Sequence, residues 1–368
     1  MTSSPGLELR QVRRRLDPPQ RNANALWIER VSIEVALDAS GGARGWGEAA
    51  PLPDYSHDSP SQAERALGAL PAARLRALAE VDDPRALLDA AASLIPEEQP
   101  SARFALETAL LDRAARRRGQ PLWQLLAEVA ADSGEDPRPL PRLYPSQPVA
   151  LCALLPSDDP GAALALARAH VAAGVTTFKL KVGPERLAPE QEATLSGLRR
   201  ELGTTVGLRA DANGSLQPDH LRSALDRLAR LGVEFLEEPS RLAELERLGD
   251  SPCPLALDES LQRMSASALA RWLGLPALRV LVLKPTALGG FGACLRLARA
   301  ARARGRDVVV SHTFEGPIAW AACAHLALAL GGTLAAGLAP LAHQAADEPR
   351  IVQGWLVPAG EPGPGRAP

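Results

Sequence analysis

The chain has 368 residues and a formal charge of −2, from 41 basic and 43 acidic side chains. That length exceeds one ordinary core and points to two units, or to a large α/β barrel with an appendage. The near-balance of charge argues against a nucleic-acid binder or a polybasic membrane protein. Only three of the 41 cations are lysines, Lys179, Lys181 and Lys284. Arginine keeps its proton in proteins, whereas a buried lysine can release it and act as a base, so these three positions mark candidate chemistry.

In chain order, residues 7–16 and 27–37 alternate apolar and polar side chains, the pattern of antiparallel strands with one wet face. A Gly-Trp-Gly-Glu run at 45–48 leads into the loop PLPDYSHDS. Helical periodicity follows at 62–70 and 84–95. A third helix starts at Ser101, read as its cap, and ends in a basic turn before Gly119. Residues 1–131 therefore read as an α+β capping domain, and the Pro- and Asp-rich stretch 132–145 as a linker.

From about residue 147 the rhythm becomes short apolar strands alternating with Ala/Leu/Arg helices. Strands are expected at 149–155, 177–182, 206–212, 233–238, 255–259, 280–284, 308–311 and 333–337. Eight such units without antiparallel turn signals predict parallel βα units closing a TIM-type (β/α)7β-like barrel over residues 147–344. The apolar run 317–342 is broken by Gly331-Gly332 and Pro340, so it is read as a buried helix and strand, not a membrane span. The tail, 345–368, is expected to return towards the capping domain. The four dispersed cysteines form no metal or disulfide motif, and the charged N-terminus lacks a signal-peptide core; both point to the cytoplasm.

Barrels of this type build their sites at the C-terminal ends of their strands. There lie Lys179 and Lys181, then Asp211 with Asn213, Glu237, Asp258 and Lys284, in steps of 21 to 30 residues, each about one βα unit. Period-2 alternation sends Lys179 and Lys181 to one face. A lone acid at a strand end is usually a helix cap or a solvated loop residue. Three on adjacent strands repel one another unless a cation sits among them, and hard oxygen donors favour Mg2+, with Mn2+ the alternative. The neighbouring Glu238 and Glu259 fall on the opposite face and read as caps.

These residues resemble the enolase superfamily, in its muconate-lactonizing branch. The likeness is carried by KLK at 179–181, DAN at 211–213, EEP at 237–239, DES at 258–260 and Lys284, and by GWGEAAPLPDYSHDS and SARFALETALLDRAARRRGQPLW in the capping domain. The resemblance implies that Asp211, Glu237 and Asp258 ligate one Mg2+. It makes Lys181 the acid/base that removes a proton beside a carboxylate, with Lys179 lowering its proton affinity and Lys284 across the substrate. After strand seven, Ser311-His312-Thr313-Phe314-Glu315-Gly316 lacks the Asp-x-Asp of dipeptide epimerases. It resembles the o-succinylbenzoate synthases, with Asn213, Ser311, His312 and Glu315 as substrate contacts; a packing role for His312 over the barrel mouth stays open. The implied reaction dehydrates 2-succinyl-6-hydroxy-2,4-cyclohexadiene-1-carboxylate to 2-succinylbenzoate in menaquinone synthesis, through a Mg2+-stabilised enediolate. N-acylamino-acid racemase, dipeptide epimerase and another cycloisomerase remain the alternatives. The expected partner is a small-molecule carboxylate, with no nucleic acid and no membrane. A homo-oligomer is left open.

Overall fold

The computed structural model describes residues 2–4, 6–22, 25–38, 44–131, 147–248, 250–340 and 349–358. The expected linker at 132–145 lies outside these residues. The N-terminal unit is a four-stranded antiparallel sheet, β1 (Thr2–Ser4), β2 (Leu7–Arg21), β3 (Leu26–Leu37) and β4 (Gly45–Ala49) in that order. It is followed by α1 (Pro60–Gly68), α2 (Ala72–Leu78), α3 (Pro84–Leu94), α4 (Pro100–Arg118) and α5 (Leu122–Ala131). Strand β2 is longer than its alternation predicts, because Gln20 and Arg21 pair with Trp27 and Leu26 past a register shift.

One face of this sheet lies on α4, and two glycines set the spacing. A Cβ at Gly45 would stand 2.0 Å from the Ala109 carbonyl oxygen, and one at Gly47 2.0 Å from that of Ala105. Only a strand with glycine at both positions approaches the helix backbone this closely. Helix α4 is buried from Pro100 to Ala115 and ends on Gly119 in the left-handed conformation (φ 63°). Ser101 is not its cap. The helix starts one residue earlier, and Ser101 instead gives its N–H and Oγ–H to Asp58, tying the end of the PLPDYSHDS loop to α4.

The second unit is a parallel sheet of seven strands in the spatial order β12-β11-β10-β9-β8-β7-β6. These are β6 (Cys152–Leu155), extending the short β5 (Val149–Ala150), then β7 (Thr177–Lys181), β8 (Gly207–Asp211), β9 (Leu236–Glu237), β10 (Leu255–Leu257), β11 (Leu278–Leu283) and β12 (Asp307–Val310). The eighth stave is shorter than expected. Parallel bridges pair Leu151 with Ala336 and Ser311 with Gly337, and these close the curled sheet into a barrel. Outward residues such as Phe178, Leu180, Leu208 and Leu281 pack under helices α6 (Pro160–Ala172), α7 (Pro189–Leu202), α8 (Pro218–Arg230), α9 (Leu242–Leu248), α10 (Ala266–Leu273), α11 (Pro285–Leu288), α12 (Phe291–Arg302) and α13 (Pro317–Leu330). Inward residues Phe235, Ala256, Val280, Val282 and Val309 form a separate cluster inside the barrel, and Phe235, Val282 and Val309 of it line the cavity described below.

Helix α13 is buried from Ile318 to Leu330, as a helix apolar on every side must be. Among the described residues, no helix is long and apolar enough to cross a membrane. Of the tail, residues 345–348 and 359–368 lie outside the described residues. Its described part folds as a hairpin, β13 (Arg350–Val352) and β14 (Trp355–Val357), with β14 pairing antiparallel to β5 on the barrel. Alternation explains the docking: Leu356 is fully buried while Trp355 stays exposed.

Candidate active site

The barrel turns the six predicted charges into one cluster. Lys179 and Lys181 alternate with Leu180 on β7, and their Cα partners on β8 are Arg209 and Asp211. Asp211 pairs in turn with Glu237 on β9. Asp258 and Lys284 directly follow β10 and β11. Lys179 Nζ donates to Asp211 Oδ2 at 2.9 Å and to Glu237 Oε1 and Oε2 at 3.1 and 3.0 Å. Lys181 Nζ donates to the same Asp211 Oδ2, and Lys284 Nζ to Asp258 Oδ2.

Burial and mutual repulsion govern the charges here. Burial opposes ionisation of Asp211, yet Lys179, Lys181 and Lys284 outweigh it and hold its carboxyl well below the usual carboxylate range. Glu237 goes the other way: burial and repulsion from Asp211 push it up to about 8. Burial and the neighbouring Glu259 raise Asp258 as well. Burial also works against the Lys179 ammonium, but Asp211 and Glu237 prevail and raise it. Lys284 is raised in the same way by Asp258 and Glu237. Lys179 is therefore a fixed cation beside Lys181.

The donor set fits a hard divalent cation. Asp211, Glu237 and Asp258 are all buried, and each offers an oxygen within 4.8 Å of the others. Three carboxylates this close, two of them with raised proton affinity, are short of positive charge even with the lysines beside them.

A cavity of about 760 Å³ opens over the cluster, lined by all three lysines, Glu237, Asn213, Ser311 and His312 among others. This volume suits a small organic substrate. The N-terminal unit supplies its roof through Pro18, Pro19, Trp27, Leu52 and Tyr55. Asn213 reaches the wall but donates its Nδ2–H to Glu259 Oε1 at 2.8 Å. Ser311 Oγ donates to the Gly337 carbonyl at 3.1 Å. His312 Nδ1 accepts from the Phe314 N–H at 3.0 Å, which fixes the ring at the barrel mouth.

Glu315 corrects its expectation as a substrate contact. It is fully buried away from the cavity lining, and its carboxylate accepts from the Thr313 N–H, Thr313 Oγ and Thr286 Oγ, each at 2.7 Å. It orders the loop and does not line the cavity. Glu238 caps as expected: it accepts from the Asp258 N–H at 2.8 Å and from Ser260, holding the turn of Glu259–Arg263.

Three further residues join the two units at the site. Tyr55 donates its hydroxyl hydrogen to Asp258 Oδ1 at 2.8 Å and accepts from Lys284 Nζ at 3.1 Å. The same ammonium lies 4.8 Å from its ring centroid. Burial first, and Asp258 second, raise the phenol well above its ordinary range, so it keeps the proton it donates. Arg30, 2% exposed, donates to the carbonyls of Ala50, Pro51 and Phe314, clamping the roof loop to the loop after β12. Glu48 on β4 accepts from the Gly316 and Ala319 N–H groups, capping α13 from the other unit. Tyr55 and Glu48 both stood in the quoted GWGEAAPLPDYSHDS motif, though nothing in it assigned them these contacts. Arg30 sits in plain strand alternation and carries no local signal.

Residues 6–127 match the family "Mandelate racemase / muconate lactonizing enzyme, N-terminal domain", and residues 162–367 match "Enolase C-terminal domain-like". The chain belongs to the enolase superfamily. An o-succinylbenzoate synthase of Thermosynechococcus vestitus is 30% identical over 321 residues, 84% of this chain and 85% of that protein. A 223-residue stretch, 59% of the chain, is 30% identical to Protein PHYLLO, chloroplastic, of Arabidopsis thaliana, and spans 12% of that longer protein. Among solved structures, the dipeptide epimerase of Methylococcus capsulatus complexed with Mg and dipeptide L-Arg-D-Lys matches with a TM-score of 0.78 and 26% identity, covering 98% of each chain. Membership of the enolase superfamily makes this chain a metal-dependent enzyme of lyase or isomerase type, with a barrel site capped by an N-terminal sheet unit.

Proposed function

We propose that the chain is an o-succinylbenzoate synthase, a carbon–oxygen lyase that dehydrates 2-succinyl-6-hydroxy-2,4-cyclohexadiene-1-carboxylate to 2-succinylbenzoate, a step of menaquinone synthesis. The observation that carries this reading is the convergence of Lys181 and Lys284 on one cavity that opens over three clustered buried carboxylates, under a roof supplied by the N-terminal unit. A divalent cation held by Asp211, Glu237 and Asp258, magnesium in the first place, supplies positive charge to the substrate carboxylate as negative charge builds there.

Lys181, the most exposed of the three lysines at 22% of its side chain, takes the ring proton alpha to the carboxylate as a neutral amine. The electron pair of the broken C–H bond moves into the ring. The resulting ammonium then returns its proton to the departing hydroxyl, which leaves as water. Lys284 stays cationic and faces the ring from the other side of the cavity. Trp27 and Leu52 in the roof keep bulk water from the reacting face.

The cavity favours an acid over an amine at the far end of the substrate. Its lining acids, among the described residues, are Glu237 in the cluster and Asp158, which is already ion-paired to Arg21. No acid is left to receive the ammonium of a dipeptide, and the loop after β12 has no Asp-x-Asp pair. Gly316 stands where the resembling enzymes carry serine. Dipeptide epimerisation is the second reading, favoured by the structural match to the Methylococcus capsulatus enzyme. The test is incubation of the Mg2+-supplemented protein with the cyclohexadiene carboxylate, followed by loss of diene absorbance. Parallel incubations of N-succinylphenylalanine and of a dipeptide in deuterated water are read for alpha-deuterium. Diene loss supports the synthase; deuterium uptake without diene loss replaces it with a racemase or epimerase.

A further inference from the structure

The roof loop is built to deliver one side chain. The Leu52 N–H donates to Ser56 Oγ at 2.9 Å and the Ser56 N–H returns to the Leu52 carbonyl at 2.8 Å. This closes a turn whose Asp54 is left-handed (φ 62°). Trp27 Nε1 donates to the Pro53 carbonyl at 3.1 Å, so the tip rests on a buried indole. Two polar contacts then cross to residues 258–263 of the barrel: Tyr55 with Asp258, and His57 Nε2 accepting from Arg263 Nε at 2.9 Å.

The chemistry at Tyr55 is specific. Asp258 has two oxygens, one taken by Lys284 and the other by the phenol. A hydroxyl donates to a carboxylate and accepts from an ammonium at once, so Tyr55 serves both partners without adding charge to a buried cluster. Groups that hydrogen-bond a metal-ligating carboxylate fix its orientation, and their loss costs roughly 10- to 100-fold in metal affinity.

We propose that Tyr55 is a positioning residue for the metal site: its hydroxyl, seated between Asp258 and Lys284, holds Asp258 in its ligating orientation and fastens loop 51–58 to the barrel, so that Mg2+ uptake and ordering of the loop are coupled. This inference rests on the metal-binding reading of Asp211, Glu237 and Asp258. Coupling of this kind is reciprocal. If the fastened loop raises Mg2+ affinity by about tenfold, Mg2+ must favour the fastened loop by the same factor.

The experiment titrates the full chain with Mg2+ by calorimetry, without substrate, and follows amide hydrogen exchange at Leu52, Tyr55 and Ser56 with and without the metal. In the unsubstituted chain Mg2+ slows exchange at these amides. Tyr55→Phe keeps the ring over Lys284 and removes only the hydroxyl; its Mg2+ affinity falls by about tenfold and the Mg2+-dependent protection disappears. His57→Ala cuts the other crossing and leaves the phenol in place, so its Mg2+ affinity is unchanged. Unchanged affinity and protection in Tyr55→Phe overturn the proposal alone. An equal loss in His57→Ala also overturns it, because any loop attachment would then serve. An unsubstituted chain that takes up no Mg2+ overturns both the proposal and the metal site on which it rests.

Discussion

Glu107 offers a clean test of the seam between the two units. It lies on α4 of the N-terminal unit, is 2% exposed, and accepts from the Gly292 N–H at 3.2 Å at the start of α12 in the barrel. Burial pushes its carboxyl from 4.5 up to about 8, against the opposing pull of the Gly292 and Phe291 N–H groups and of Arg103. The sign follows directly. The folded state holds a proton there that the unfolded state has lost, so stability falls as pH rises from about 4.5 and levels off above about 8. At 1.36 kcal/mol per pH unit, the full penalty is on the order of 5 kcal/mol, of which roughly 3 kcal/mol develops between pH 5.5 and 8.5. Glu107→Gln keeps a carbonyl oxygen for the same N–H groups and cannot ionise. Urea unfolding of both proteins at the two pH values measures the difference, and the other buried carboxyls cancel because both proteins contain them. The variant should gain about 3 kcal/mol on the parent between pH 5.5 and 8.5. A difference that stays flat, or that shrinks as pH rises, would refute the argument that burial dominates at Glu107.

Two more outcomes follow from the packing and the cluster. Gly47→Ala drives a methyl to 2.0 Å from the Ala105 carbonyl oxygen, so β4 must lift from α4 at a cost of about 3 kcal/mol, visible as a lowered urea midpoint with an unchanged slope. Asp258→Asn removes one of the three charged donors and should weaken Mg2+ binding at least about 100-fold by calorimetry; an affinity within a factor of three of the parent would exclude Asp258 as a ligand.

The chemistry-bearing strand ends were readable because two periods reinforce each other. Alternation along β7 put Lys179 and Lys181 on one face, and a spacing of about one βα unit put Asp211, Glu237, Asp258 and Lys284 at matching heights. The cavity roof was less legible. Tyr55 meets Asp258 across more than 200 residues of chain, and nothing local to either predicts the meeting. Glu315 shows the opposite failure. A Glu beside a strand end resembles a substrate contact, but two threonines and a backbone N–H turn its carboxylate into the interior. The eighth stave was misjudged in extent because short bridges leave almost no periodicity to count, and the two-residue pairing that docks the tail hairpin on β5 offers no more.

The central claim is that Lys181 moves the proton. Lys181→Arg keeps a cation opposite Asp211 but cannot supply a neutral amine at working pH. The decisive measurement is the single-turnover rate of diene loss from 2-succinyl-6-hydroxy-2,4-cyclohexadiene-1-carboxylate, with circular dichroism and Mg2+ affinity recorded on the same samples. The account predicts a fall of at least about 10³-fold with fold and metal binding intact. Diene loss at the parent rate in Lys181→Arg would contradict it.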